Sequence, residues 1–196
     1  DTGPTPLPTP PLTGDPPRPW ARTSPRTVTI APMGIPDHVA RLRAVVGHDL
    51  LVLPSVSVLI TDGSRRLLLV RHAGHDDGWG LSGGIVEPEE APADAAVREA
   101  REELGVEVRL LGLLDVLGGP DFTVTYPNAD RVSYTNVVYH AEIISGDPSA
   151  DLDELSAVAW FTSAELPGLT VNRSTRVILT AAGHLPDPQP HRTVLN

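Results

Sequence analysis

Three glutamates, Glu99, Glu102 and Glu103, recur at the three- and four-residue spacing that stacks side chains on one side of a helix. At about 100° per residue they fall near 0°, 300° and 40°, a single narrow face. Ala93, Val97, Ala100 and Leu104 fall at about 100° to 160°, an apolar stripe beside that face which suits a core. Like charges so placed repel by roughly a few tenths of a kcal/mol per pair, so the face calls for a cation. Hard divalent ions such as Mg²⁺ take carboxylate oxygens and keep several waters, which suits this cluster better than zinc. Taken alone, three glutamates more often make a solvated acidic face, with Arg98 and Arg101 as ion-pair partners.

The surrounding residues change that balance. Gly84 is followed after five residues by Glu90, and after seven more by Arg98-Glu99; Glu102-Glu103, Gly105 and Val106 follow. This run resembles the box of the Nudix hydrolase family, Gly-x5-Glu-x7-Arg-Glu-U-x-Glu-Glu-x-Gly-U, where U is a bulky aliphatic residue. Every charged and glycine position is filled, and only Ala100 is smaller than usual. The resemblance extends over roughly residues 51–182 and covers members of the MutT and ADP-ribose pyrophosphatase kinds. It implies that Glu99, Glu102 and Glu103, with the Gly84 carbonyl, hold Mg²⁺ or Mn²⁺, and that Arg98 orients the helix by pairing with Glu90. It further implies water attack on phosphorus in a nucleoside diphosphate derivative, a small-molecule substrate. Two positions depart from the family's habit: Ser82 stands where proline is common and Pro88 where glycine is common. Neither removes a ligand, and Pro88 suits the first turn of a helix.

Outside the box, relatives supply a further glutamate from a loop, and Glu154 is the candidate, as base or extra ligand. A solvated loop carboxylate is an equal reading of it; Asp153, Glu142 and Glu165 are the next choices. Trp79, Arg71 and Tyr126 are candidate substrate contacts, though a lone tryptophan is more often a packing residue. Tyr139 shares that ambiguity. His72 and His75 stand near the approach to the site and read first as exposed loop histidines. Pro120 lies near the offset at which ADP-ribose hydrolases of this fold carry a proline, so ADP-ribose leads narrowly over a modified nucleoside triphosphate. The downstream motif of NADH diphosphatases is absent. A nucleotide-sensing domain without turnover is the competing function, and the intact box argues against it. An isomerase relative needs a cysteine, and the sequence has none.

The elements that must position these groups are readable from patterning. The Nudix domain is expected over residues 33–184, between a disordered proline-rich extension, 1–32, and a flexible tail, 185–196. Helical spacing spans 37–46, with Val39, Leu42, Val45 and Val46 as its apolar positions. Strands are expected at 51–61 and 66–71, joined as a hairpin by Asp62-Gly63. A helix follows at 89–104, closed by Gly105. Further strands are expected at 106–114, 122–126, 132–144 and 158–161, with a turn at 127–130. A last helix spans 173–182, with Asn172 as N-cap. This order gives an α/β fold, a Nudix-type α/β/α sandwich with a mixed β-sheet.

Composition narrows the partners. The net charge is −10, lysine is absent, and arginine carries every fixed positive charge, which argues against wrapping a nucleic-acid polymer. Divalent cations would let an acidic protein take a phosphorylated small molecule. No apolar run reaches membrane-spanning length, so no membrane partner is expected. Without cysteine there are no disulfides or thiolate sites, and the cytoplasm is the default location. Homodimer formation is compatible with the sequence.

Overall fold

The computed structural model describes residues 36–73, 78–150 and 154–187. The proline-rich extension, Met33, His75, Asp153 and residues 188–196 of the tail lie outside them. In chain order the elements are α1 (Asp37–Val46), β1 (Leu50–Ile60), β2 (Leu67–His72), α2 (Pro92–Leu104), β3 (Glu107–Leu117), β4 (Thr123–Thr125), β5 (Arg131–Ser145), β6 (Leu155–Phe161) and α3 (Arg173–Ala181).

The β1–β2 hairpin expected from sequence is corrected. Its turn forms: Asp62 Oδ1 accepts from the N–H groups of Ser64 and Arg66 at 2.9 and 2.8 Å, and Thr61 bridges Leu67. Beyond the turn the strands part. β1 pairs in parallel with β5, from Leu50 opposite Arg131 to Ile60 opposite Ala141, while β2 pairs antiparallel with β6. Between them runs the segment before α2, bridging Val70 at Gly80 and Val58 at Ser82. β1 and β2 are rich in buried side chains and their backbone groups need partners on both edges. The inserted glycine-rich segment supplies those partners, and in doing so it is itself held in place.

β3 and β4 pair antiparallel with β5, so the sheet is mixed. One core, with Val56, Val58, Ala96, Ala100, Leu104 and Ala141, lies under α2. A second, with Leu59, Leu67, Leu69, Ile178 and Leu179, lies under α3. Helices thus cover both sides, the expected sandwich. Leu185, placed by sequence in the flexible tail, is buried in the second core, and its N–H donates to Leu179 O.

Local chemistry explains the element ends. Pro92 occupies the first turn of α2, so the helix starts later than 89; Glu89 has φ 66° and belongs to the preceding turn, and Pro88 is outside the helix. Gly105 takes the left-handed conformation that ends α2, φ 69° and ψ 23°. Tyr126 and Asp130 close the expected turn before β5 through Tyr126 N–H to Asp130 O, 2.8 Å. α1 forms over its expected span, yet only Val39 of its apolar positions is buried. Polar bonds hold it instead: Arg43 donates to Asp49 O and Arg131 O, both at 2.6 Å, and its Nε stands 3.5 Å from Asp130 Oδ2.

Asn172 Oδ1 accepts the Thr175 N–H at 2.8 Å, the expected cap of α3. Asn172→Ala should cost about 1 kcal/mol and lower Tm by about 2–4 °C. An unchanged melting curve would show that the cap carries no weight.

Candidate active site

Helix α2 brings the three glutamates together, but not as equals. Glu103 is 1% exposed and Glu99 9%, whereas the Glu102 side chain is 56% exposed. The carboxylate face therefore merges with the buried stripe instead of standing apart from it, because the inserted glycine segment packs against it.

Glu103 is the most constrained. Its Oε2 accepts the Gly83 N–H at 3.0 Å, while its Oε1 has no hydrogen-bond donor and lies 3.8 Å from His72 Nδ1. Burial pushes its carboxyl up to about 8; the nearby Glu99 charge adds to this, and Ser82 and the Gly83 N–H oppose it. Burial also raises Glu99, against the pull of Arg98. The Glu154 charge contributes to the rise at both Glu99 and Glu103, so the structure brings this loop residue to the cluster. Its backbone is fixed where β2 ends, Ala73 N–H donating to Glu154 O at 2.8 Å.

The two glycines do separate jobs. At Gly83, φ is 152°, and a Cβ there would fall 2.1 Å from Val56 O. At Gly84 a Cβ would fall 2.2 Å from Glu99 Oε1, so the missing side chain is the space in which that carboxylate sits. The Gly84 carbonyl accepts the Val56 N–H at 2.9 Å, leaving its second lone pair for a ligand.

Arg98 organises the cluster. Its Nε and Nη2 donate to the two oxygens of Glu90 at 2.8 and 3.0 Å, a bidentate pair, and Nη2 also donates to Ile85 O. Its Nη1 reaches both Glu99 Oε1 and Glu102 Oε2 at 2.9 Å. A cationic group thus already bridges two of the three glutamates. The Arg98 guanidinium is held charged by these contacts, Glu90 foremost, and Glu90 in turn is lowered chiefly by Arg98.

The fit to a divalent ion is good in donor chemistry and incomplete in spacing. Glu99, Glu102, Glu103 and the Gly84 carbonyl are hard oxygen donors, and Glu103 Oε1 is buried without a donor of its own. Among the described residues, no three acidic or imidazole groups are already drawn in to the spacing of one ion.

Other candidates fall into two groups. Arg71 and Trp79 meet, with Arg71 Cζ 4.9 Å from the Trp79 ring centroid, and the Trp79 and Phe161 rings pack edge to face with centroids 4.8 Å apart. Tyr126 lies elsewhere, in a third small core with Val39, Leu53 and Val132, its hydroxyl 2.5 Å from that of Tyr134. Tyr139 packs against the core under α2. His72 is corrected: it closes β2 beside Glu103 instead of standing exposed in the loop. Ser82, read only as a departure from habit, is buried next to Glu103. For His72 the available signal was its place at the end of the apolar run 67–70; Ser82 lies on a single bridge to Val58, which no pattern in the sequence marks.

A helix bearing clustered carboxylates, fixed by one arginine and seated on a glycine turn between two strands, is the arrangement that the box resemblance leads one to expect of a hydrolase domain of this kind. A family model, the NUDIX domain, matches residues 52–181, and the chain belongs to that family. It is 32% identical over 141 residues to "NAD-capped RNA hydrolase NudC" of Pseudomonas putida strain GB-1, an alignment covering 70% of this chain and 47% of that protein. The chain spans less than half the length of the curated relatives it matches first. The MutT NUDIX hydrolase structure from Burkholderia pseudomallei is 29% identical with TM-score 0.54, covering 67% of this chain and 98% of that one. A UDP-X diphosphatase structure shares the fold at 24% identity and TM-score 0.53, covering 76% of this chain and 71% of that one.

Proposed function

We propose that this chain hydrolyses a diphosphate linkage in a nucleoside diphosphate derivative, using Mg²⁺ or Mn²⁺ held by Glu99, Glu102, Glu103 and the Gly84 carbonyl. The observation that carries this reading is Glu103: a buried carboxylate, one oxygen fixed by Gly83 and the other without a hydrogen-bond donor, with the Glu99 and Glu154 charges acting on it. A bound divalent ion would neutralise phosphate charge and activate water. The chain's own residues position these parties. Arg98, locked to Glu90, sets the rotamers of Glu99 and Glu102. Glu154, whose charge acts on both Glu99 and Glu103, would serve as base or extra ligand. Arg71, braced on Trp79, is the candidate substrate contact, whereas Tyr126 serves the small core under α1.

An NAD cap and ADP-ribose share a nucleoside diphosphate joined to a second ribose, so the relatives favour substrates of that shape over a modified triphosphate. The acidic chain suits a small molecule or a capped end better than an extended polynucleotide. Pro120 opens a 3₁₀ turn, Pro120–Phe122, which accounts for it without a substrate. No helix among the described residues is long and apolar enough to cross a membrane.

Assays with ADP-ribose, NADH, a UDP-sugar and an oxidised nucleoside triphosphate should show turnover of a diphosphate-linked substrate with Mg²⁺ or Mn²⁺ and none in EDTA. Tight binding across the panel without turnover would favour a sensing domain instead. Glu154→Gln should lower kcat and kcat/KM together with KM little changed, because the lost interaction belongs to the transition state. Recovery of rate at high metal concentration would make Glu154 an extra ligand, and parental kinetics would remove it from the site.

A further inference from the structure

We propose that His38 is a positioning residue for the carboxylate cluster, an inference that rests on the metal ligation above, and that it acts through Glu87, Glu90 and Arg98. Helix α1 precedes residues 52–181, the span of the family match, so the box assigns it no part in the site. Yet its first turn meets the segment between Gly84 and α2 at two neighbouring points. Val39 is buried in the third small core, against which Ile85 packs. One residue earlier, His38 Nδ1 stands 3.1 Å from Glu87 Oε2, and the histidine side chain is 16% exposed. That nitrogen is buried and makes no hydrogen bond to another group among the described residues. With its proton on Nδ1, the ring directs an N–H at the Glu87 carboxylate.

Both contacts lead to Arg98. The Ile85 carbonyl accepts from Arg98 Nη2 at 3.1 Å. The Glu87 N–H donates to Glu90 Oε2 at 2.9 Å, the same oxygen that takes Arg98 Nη2 at 3.0 Å. A shift of Glu87 therefore moves one arm of the bidentate pair, and with it the Nη1 that reaches Glu99 and Glu102. The segment needs a brace: Glu87, Pro88 and Glu89 are exposed and lie outside the helices and strands, and Glu89 is at φ 66°. Helix α1 can supply one because its last turn is fixed to the sheet, Arg43 donating to Arg131 O at the start of β5. So anchored, α1 is a strut between β5 and the segment that seats Arg98, and groups that orient metal ligands govern how tightly the ion is held.

The test reads two quantities on the whole chain: the Arg98 Nε–H signal in ¹H–¹⁵N spectra, assigned with Arg98→Lys, and the binding of MnCl₂ alone by calorimetry. His38→Phe keeps a ring on α1 and removes the nitrogen. It should speed exchange of the Arg98 Nε–H with water by about tenfold or more and weaken Mn²⁺ binding by about tenfold, with an unchanged circular dichroism spectrum. His38→Asn puts an amide N–H where Nδ1 stood and should keep both quantities near the parent's; a role in packing alone would rank the two variants the other way. Glu87→Ala, at an exposed position, should reproduce the His38→Phe effect, and the double variant should do no more than either change alone. An Arg98 signal unmoved in both His38→Phe and Glu87→Ala, a His38→Asn loss equal to that of His38→Phe, or additive losses in the double variant would each overturn the proposal. A parent that binds no Mn²⁺ would overturn the metal ligation instead, and the Arg98 signal would still decide whether His38 holds that arginine.

Discussion

Glu103→Gln is expected to reduce turnover by about a hundredfold or more and, in chelator near pH 8, to raise the melting temperature. The two effects have one cause. The Glu103 carboxyl is held at about 8 against an ordinary value of 4.5, with burial the largest contribution. As pH rises past 4.5 the unfolded chain gives up this proton while the folded chain keeps it. The group's contribution to stability is therefore full below 4.5 and is lost as pH rises through about 8. Glutamine does not titrate, so the variant escapes that loss; near pH 4 the two proteins should melt alike. On the proposed ligation Glu103 must be ionised to bind the ion, so the concentration of Mg²⁺ that the parent needs should fall as pH rises. A melting difference that is the same at every pH, or a variant with parental turnover, would refute this account.

The second large effect separates two adjacent glycines. In Gly84→Ala the new methyl carbon competes for the space of the Glu99 carboxylate, 2.2 Å from its Oε1. A side chain can swing away, so the fold should survive while the carboxylate is displaced. Misplacement by about 1 Å costs on the order of a hundredfold in rate. In Gly83→Ala the obstacle is the Val56 carbonyl at 2.1 Å, part of the backbone of β1, and φ is 152°. Nothing there can swing away. Gly84→Ala should thus lose activity with a nearly parental Tm, and Gly83→Ala should lose Tm first. Equal losses of stability in both would show that Gly84 serves the turn and not the carboxylate.

Features set by near neighbours in the chain were legible before the structure. The α2 face, the Gly105 cap, the Asn172 cap and the turn before β5 each depend on residues within one or two turns. The pairing of Arg98 with Glu90 followed from the family resemblance, and the bidentate contact bears it out. Strand partnership was not legible. Asp62-Gly63 makes a sound hairpin turn, but the competing demand of Val58 and Val70 for the glycine segment lies many residues downstream. Burial of individual glutamates was hidden for the same reason: spacing places Glu99, Glu102 and Glu103 on one face, and only the packed turn divides them into buried and exposed. Trp79 and Tyr126 looked alike as lone aromatics, yet one braces Arg71 and the other closes a core with Val39.

The parallel pairing of β1 with β5 also governs how the chain can acquire its structure during synthesis. Leu50 meets Arg131, roughly eighty positions later, and loop closure over such separations slows folding. A ribosome that has released β1, β2 and α2 has not yet released the strand against which β1 must lie. Until β5 emerges, the valine- and leucine-rich β1 waits with one edge unpaired, open to wrong neighbours. The proline within it, Pro54, lacks an N–H for any such neighbour to accept, interrupting the ladder that an early mispaired strand would build.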